Sequence, residues 1–173
     1  LQPSIICIGS STGGPQALMK LMEAIGGKVK QPILITQHMP ATFTTILAQH
    51  LSRIDGIECS EAVDKGKLVD GQVYLAPGDY HMVVERDATG NILRLNQDAQ
   101  ENFCRPSVDP MLRSVVAAYG ERVLMVMLTG MGHDGLKGGH DVVERGGTLI
   151  AQDEGSSVVW GMPGAVATGG LCS

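Results

Sequence analysis

Aromatic side chains are scarce in this sequence: Phe, Tyr and Trp supply 3% of 173 residues, and there is one Trp. A core short of rings must be aliphatic, and Val, Ile, Leu and nine Met are available within an ordinary hydrophobic fraction of 43%. A long apolar run is missing too. The longest, Val123 to Leu128, is strand length, far short of the roughly 20 residues that cross a bilayer. No basic-then-apolar segment stands at the start. There is no basic stripe: the net charge is -5 with acids and bases interleaved, which argues against a nucleic-acid surface because phosphates would go unneutralised. The four cysteines, Cys7, Cys59, Cys104 and Cys172, form no Cys-x-x-Cys pair. They read as free thiols of a reducing cytoplasm rather than a disulfide framework or zinc site.

What is present is one domain's length, enough to bury a substantial core. Both ends read as cut, as in a piece of a longer protein. Four short, continuously apolar runs, Ile5 to Ile8, Ile33 to Thr36, Val123 to Leu128 and Thr148 to Ala151, have the pattern of parallel strands covered on both faces. Helical periodicity fills the intervals. Leu18, Leu21, Met22 and Ile25 share one face, with Pro15 in the first turn and Gly26 at the end. Phe43, Ile46, Leu47 and Leu51 make a second stripe, which places His50 on an apolar, half-buried face. Val108, Met111, Leu112, Val115, Val116 and Tyr119 make the best helix, with Ser107 as its expected cap. Gly135 to Arg145 is a weaker helix.

Strand alternating with helix predicts an α/β fold: a doubly wound, mainly parallel sheet flanked by helices. From Glu58 to Leu95 the pattern changes to short β segments broken by Asp70-Gly71, Gly78-Asp79 and Thr89-Gly90. That stretch is expected as an appended antiparallel hairpin region.

The turn "IGSSTGGP" after the first strand is the chemical signal. It is neither G-x-G-x-x-G nor G-x-x-x-x-G-K-[ST]. It matches G-x-S-x-G centred on Ser11, an elbow that presents a hydroxyl at the carboxyl edge of a sheet, with Gly9 and Gly13 where strand and helix backbones crowd. Ser10 has no such symmetric pair. A turn that merely caps the helix is the competing reading. A serine needs a base, and of five histidines His38 follows the next strand, at the edge where ligands of open parallel sheets collect. Asp134 follows a third strand in "LTGMGHDG" and suits the orienting acid, although an isolated Asp there would be read as a helix cap. Glycines around Met131 leave backbone N–H groups for an oxyanion, with Thr12 N–H as a second donor; Met131 would otherwise be core. The His-Asp pairs at 133–134 and 140–141 lack a third clustered ligand and read as solvated turns rather than a metal site. Arg105 is assigned surface or capping work, and Cys104 a small packed side chain.

Six segments in order, "IGSSTGGPQAL", "ITQHMP", "YLAPGDYHM", "CRPSVDPML", "LTGMGHDG" and "VVWGMPGAV", resemble signature segments of the catalytic domain of chemotaxis-receptor methylesterases (CheB-type), across essentially the whole chain. The resemblance implies an α/β serine hydrolase with nucleophile Ser11, base His38 and acid Asp134, and with Thr12 and Met131 at the oxyanion. It implies hydrolysis of glutamyl γ-methyl esters on the cytoplasmic helices of chemoreceptors, with deamidation of some receptor glutamines. Neither metal nor organic cofactor is implied, and a receiver domain is expected to precede this domain in the full chain. A cytoplasmic monomer without membrane insertion is the expectation. Three positions depart from the family pattern: Ser10 where Ala is usual, His133 where Asn is usual and Cys104 where His is common. Rival readings are hydrolysis of another ester or amide, phosphate or nucleotide binding at the Ser10 to Gly14 turn, and a non-catalytic receptor adaptor.

Overall fold

A computed structural model describes residues 2–173. Its elements run β1 (Ile5–Ser10), α1 (Gly14–Ile25), β2 (Ile33–Gln37), α2 (Phe43–Ser52), β3 (Glu58–Glu61), β4 (Gln72–Leu75), β5 (His81–Asp87), β6 (Gly90–Asn96), α3 (Val108–Tyr119), β7 (Val123–Met127), α4 (Leu136–Glu144), β8 (Thr148–Ala151) and α5 (Met162–Thr168). Six strands form one parallel sheet in the order β3-β4-β2-β1-β7-β8, and β5-β6 form a separate antiparallel pair. The doubly wound α/β reading holds.

Alternation along β1 shows why its apolar run is continuous. Ile5 and Cys7 face one core with Val108, Met111 and Val115 of α3 and Val142 of α4. Ile6 and Ile8 face the other, with Leu18 and Met22 of α1 and Leu47 and Leu51 of α2. A strand covered on both faces has no solvated side on which to place polar residues. Its neighbours are β2 on one side and β7 on the other, so the chain leaves β1 in one direction and returns on the opposite side. That reversal is where open α/β sheets place their crevice.

The middle of the chain corrects one expectation. Only β5-β6 is a hairpin; β3 and β4 extend the main sheet in parallel, because Val73 and Leu75 bury into the core beneath α2. Asp70-Gly71 turns the chain into β4 after a crossover rather than closing a hairpin. The α2 stripe is narrower than its periodicity suggests: Leu47 and Leu51 are buried, while Phe43, Ile46 and His50 are exposed. The strand β3, which packs beside this helix, is too short to cover them. No helix among the described residues is long and apolar enough to cross a membrane.

Candidate active site

The end of β1 sets the geometry. Ser10 pairs with Gln37 in register, and His38 N–H donates to Ser10 O at 3.0 Å, so Ser11 and His38 leave adjacent strands side by side. Ser10 is fully buried and donates through Oγ to Gln37 Oε1. Ser11 is half-buried, its N–H held by Thr129 O at 3.0 Å and its carbonyl by Gln37 Nε2 at 2.8 Å. Gln37 Nε2 also reaches His38 O at 3.2 Å, so one buried amide fastens both turns. Burial therefore agrees with spacing that Ser11, not Ser10, is the available hydroxyl.

The glycines flanking Ser11 are required by space. A Cβ on Gly9 would lie 2.8 Å from Val108 Cγ2, and Gly13 has φ 80° with Val158 Cγ2 2.5 Å from such an atom. From the loop after β7 Gly130 presses close, its virtual Cβ 2.8 Å from Ser11 Cβ.

His38 reaches across the end of β1 to Asp134, Nε2 to Oδ2 at 2.6 Å. Asp134 accepts three further bonds: Val108 N–H to Oδ2 at 2.7 Å, and Asp109 N–H (3.1 Å) and Asn102 Nδ2 (2.9 Å) to Oδ1. Burial alone would push this carboxyl upward. The His38 bond and the two backbone N–H groups outweigh burial and hold it below the ordinary carboxylate range. An ionised Asp134 fixes Nε2 as the protonated nitrogen and leaves the Nδ1 lone pair for the base role. Cys104 Sγ lies 3.5 Å from that Nδ1. No hydrogen bond joins Ser11 Oγ to His38 among the described residues; catalytic hydrogen bonds of unliganded hydrolases commonly tighten only with substrate.

The competing reading of Asp134, as the cap of α4, is not what the structure shows. Asp134 caps α3 instead. The cap of α4 is supplied by Asp109, whose Oδ1 accepts Gly135 N–H at 3.1 Å and Gly138 N–H at 2.7 Å. The exchange has a steric cause: position 135 must be glycine, with φ 96° and Met127 Cε 2.2 Å from a virtual Cβ. Each helix is thus capped by a carboxylate from the entrance of the other, and Asn102 Nδ2 bridges them, 2.9 Å from both Asp109 Oδ2 and Asp134 Oδ1. Burial raises the Asp109 carboxyl, opposed by the Gly138 and Asn102 bonds. Ser107, expected to cap α3, donates its hydroxyl to Glu101 O at 3.0 Å.

Thr12 and Met131 N–H donate to no backbone carbonyl among the described residues, and both side chains are exposed. Thr12 follows Ser11 in the chain, Gly130 beside Met131 packs against Ser11, and Met131 is exposed rather than core. His133 and His140 are exposed, and no group of three His, Cys, Asp or Glu among the described residues is disposed to hold a metal. Arg105 fastens its loop, to Asp79 Oδ1 at 2.7 Å and to the carbonyls of Gln97 and Asp98. Cys104, expected to be packing only, touches His38. Gln37, Asn102 and Asp109 were not foreseen.

Residues 6–173 match the family model described as CheB methylesterase. The chain is 65% identical over 172 residues to protein-glutamate methylesterase/protein-glutamine glutaminase 1 of Paramagnetospirillum magneticum, covering 99% of this chain and 45% of that protein. The namesake from Rhodospirillum rubrum is 63% identical over 174 residues, again covering 99% and 45%. The chain thus spans about 45% of the length of these curated relatives. The crystal structure of the Thermotoga maritima CheB methylesterase catalytic domain superposes with TM-score 0.95 at 37% identity, covering 100% of this chain and 92% of that one. On its motifs, its fold and these matches, the chain belongs to the CheB methylesterase family.

Proposed function

We propose that this domain hydrolyses glutamyl γ-methyl esters of chemoreceptors, and the amide of receptor glutamines, through Ser11, His38 and Asp134. The observation that carries the reading is the His38–Asp134 pair at 2.6 Å beside a half-buried Ser11, at the carboxyl edge of the central strand. His38 Nδ1 takes the Ser11 proton as Oγ attacks the ester carbonyl, and Asp134 stabilises the imidazolium. The oxyanion of the tetrahedral intermediate faces Thr12 and Met131 N–H. Methoxide leaves with the proton held on Nδ1, as methanol. Water then attacks the acyl-serine, gives its proton to His38, and restores glutamate and Ser11. With an amide the leaving molecule is ammonia.

The partners are methylated cytoplasmic helices of chemoreceptors and a receiver domain elsewhere in the full-length protein, and the domain works as a cytoplasmic monomer without metal or cofactor. Methanol release from membranes bearing methylated receptor tests the reading. Release well above membranes alone is expected; release equal to that background overturns it.

A further inference from the structure

Phe103 is 97% exposed and belongs to neither core cluster. It occupies a two-residue turn closed by reciprocal backbone bonds, Glu101 N–H to Cys104 O at 3.1 Å and Cys104 N–H to Glu101 O at 3.0 Å. Asn102 and Phe103 both have left-handed backbone, φ 55° and 62°. Such a turn takes Asn readily at its first position and asks for Gly at its second. Phe there carries two costs, a left-handed backbone for a bulky residue and a ring left in water. Neither cost serves the fold.

The flanking residues show where the ring has been put. Asn102 hydrogen-bonds Asp134, and Cys104 lies against His38 Nδ1, so the turn carries Phe103 alongside the acid and the base. Two more exposed apolar side chains stand on segments that adjoin Ser11: Gly130, next to Met131, packs against Ser11, and Val158 against Gly13. Met131, 65% exposed, stands in the glycine-rich loop before Asp134. Val158, 63% exposed, packs over Gly13 in the turn that follows Ser11. All three thus stand beside residues that touch Ser11, His38 or Asp134, or that lie in the turn after Ser11.

We propose that Phe103, with Met131 and Val158, forms an apolar rim that docks the protein segment carrying the esterified glutamate, Phe103 being its anchor. The proposal rests on the methylesterase reading and adds the residue that separates a protein substrate from a free ester. The γ-ester group engages only Ser11 and the oxyanion donors. Affinity for the segment comes from apolar side chains next to the esterified residue, which dehydrate the exposed ring, and buried aromatics dominate contacts of this kind. Exposed apolar residues clustered at one functional site are the usual mark of such a surface.

Phe103→Ala and Phe103→Gly are compared with the wild type on methylated receptor membranes and on a capped glutamate γ-methyl ester. Both variants raise KM for receptor about tenfold, as loss of an aromatic anchor does, with kcat and small-ester hydrolysis within about twofold of wild type. Phe103→Gly also relieves the left-handed strain, so its Tm rises by about 2 °C while receptor binding weakens. A ring kept for stability would show the opposite coupling. Equal loss on both substrates, or no loss on either, overturns the docking role. A wild type inactive on both substrates overturns the esterase reading and the docking proposal with it.

Discussion

Asp109→Asn tests whether the paired caps hold the catalytic acid in place. Asp109 Oδ1 accepts two glycine N–H groups and Oδ2 accepts Asn102 Nδ2. An amide can keep the glycine bonds only by turning its own NH2 towards Asn102 Nδ2, donor against donor. Turned the other way, it abandons the cap of α4. Either orientation costs a charge-assisted hydrogen bond in a buried place, about 2 kcal/mol of stability, and in a domain of this size Tm should fall by roughly 4–8 °C. The catalytic cost is smaller. In the orientation that sets donor against donor Asp134 loses Asn102, but in both it keeps the backbone N–H groups of 108 and 109 and His38. Removal of the nearby Asp109 charge also favours ionised Asp134, since each carboxylate opposes the other. A loss of about tenfold in kcat follows, with KM unchanged, because the interaction acts through the acid and not on substrate. Methanol-release kinetics alongside thermal unfolding give both numbers. Unchanged kcat at the lowered Tm would show the bridge to be structural only. A loss near that of removing Asp134 itself would make Asp109 the working acid and refute the assignment.

Two further outcomes follow from the same geometry. Asp134 is held below the ordinary carboxylate range in the folded state. Its contribution to stability is therefore complete above the unfolded value, near pH 4, and is lost as pH falls through the lower folded value; Asp134→Asn should flatten wild-type acid unfolding in that window, and an unchanged acid limb would contradict the assignment. Cys104 stands 3.5 Å from His38 Nδ1, with its thiol raised by burial and by the Asp134 charge. Prolonged iodoacetamide at alkaline pH should therefore block His38 and abolish methanol release by the wild type, and spare Cys104→Ser; equal inactivation of both would place the sensitive group elsewhere.

Much of the site was legible because its signals are local. Strand-end positions and the Gly9 and Gly13 pair mark Ser11, and His38 and Asp134 stand at corresponding places after neighbouring strands. The supports were not legible. Asp109 caps a helix that begins 27 residues later, and Asn102 bridges carboxylates 7 and 32 residues away; neither contact leaves a pattern in spacing. Ser107 and Asp134 both had the right residue type for a local cap, and both were drawn away by partners that only the packed fold brings near. The β3 and β4 segments read as a hairpin because turn dipeptides mark a reversal without revealing how far the chain travels before it pairs. Exposure of Phe43 and Ile46 was hidden for a related reason: periodicity identifies a helix face, and only neighbouring elements decide how much of it is covered.

The central claim is that Ser11 is the nucleophile. Methanol release from methylated receptor should be measured for Ser11→Ala and Ser10→Ala beside the wild type. The account predicts background release for Ser11→Ala and activity within about tenfold of wild type for Ser10→Ala, which loses one buried hydrogen bond to Gln37. Activity surviving in Ser11→Ala, or abolished in folded Ser10→Ala alone, would contradict it.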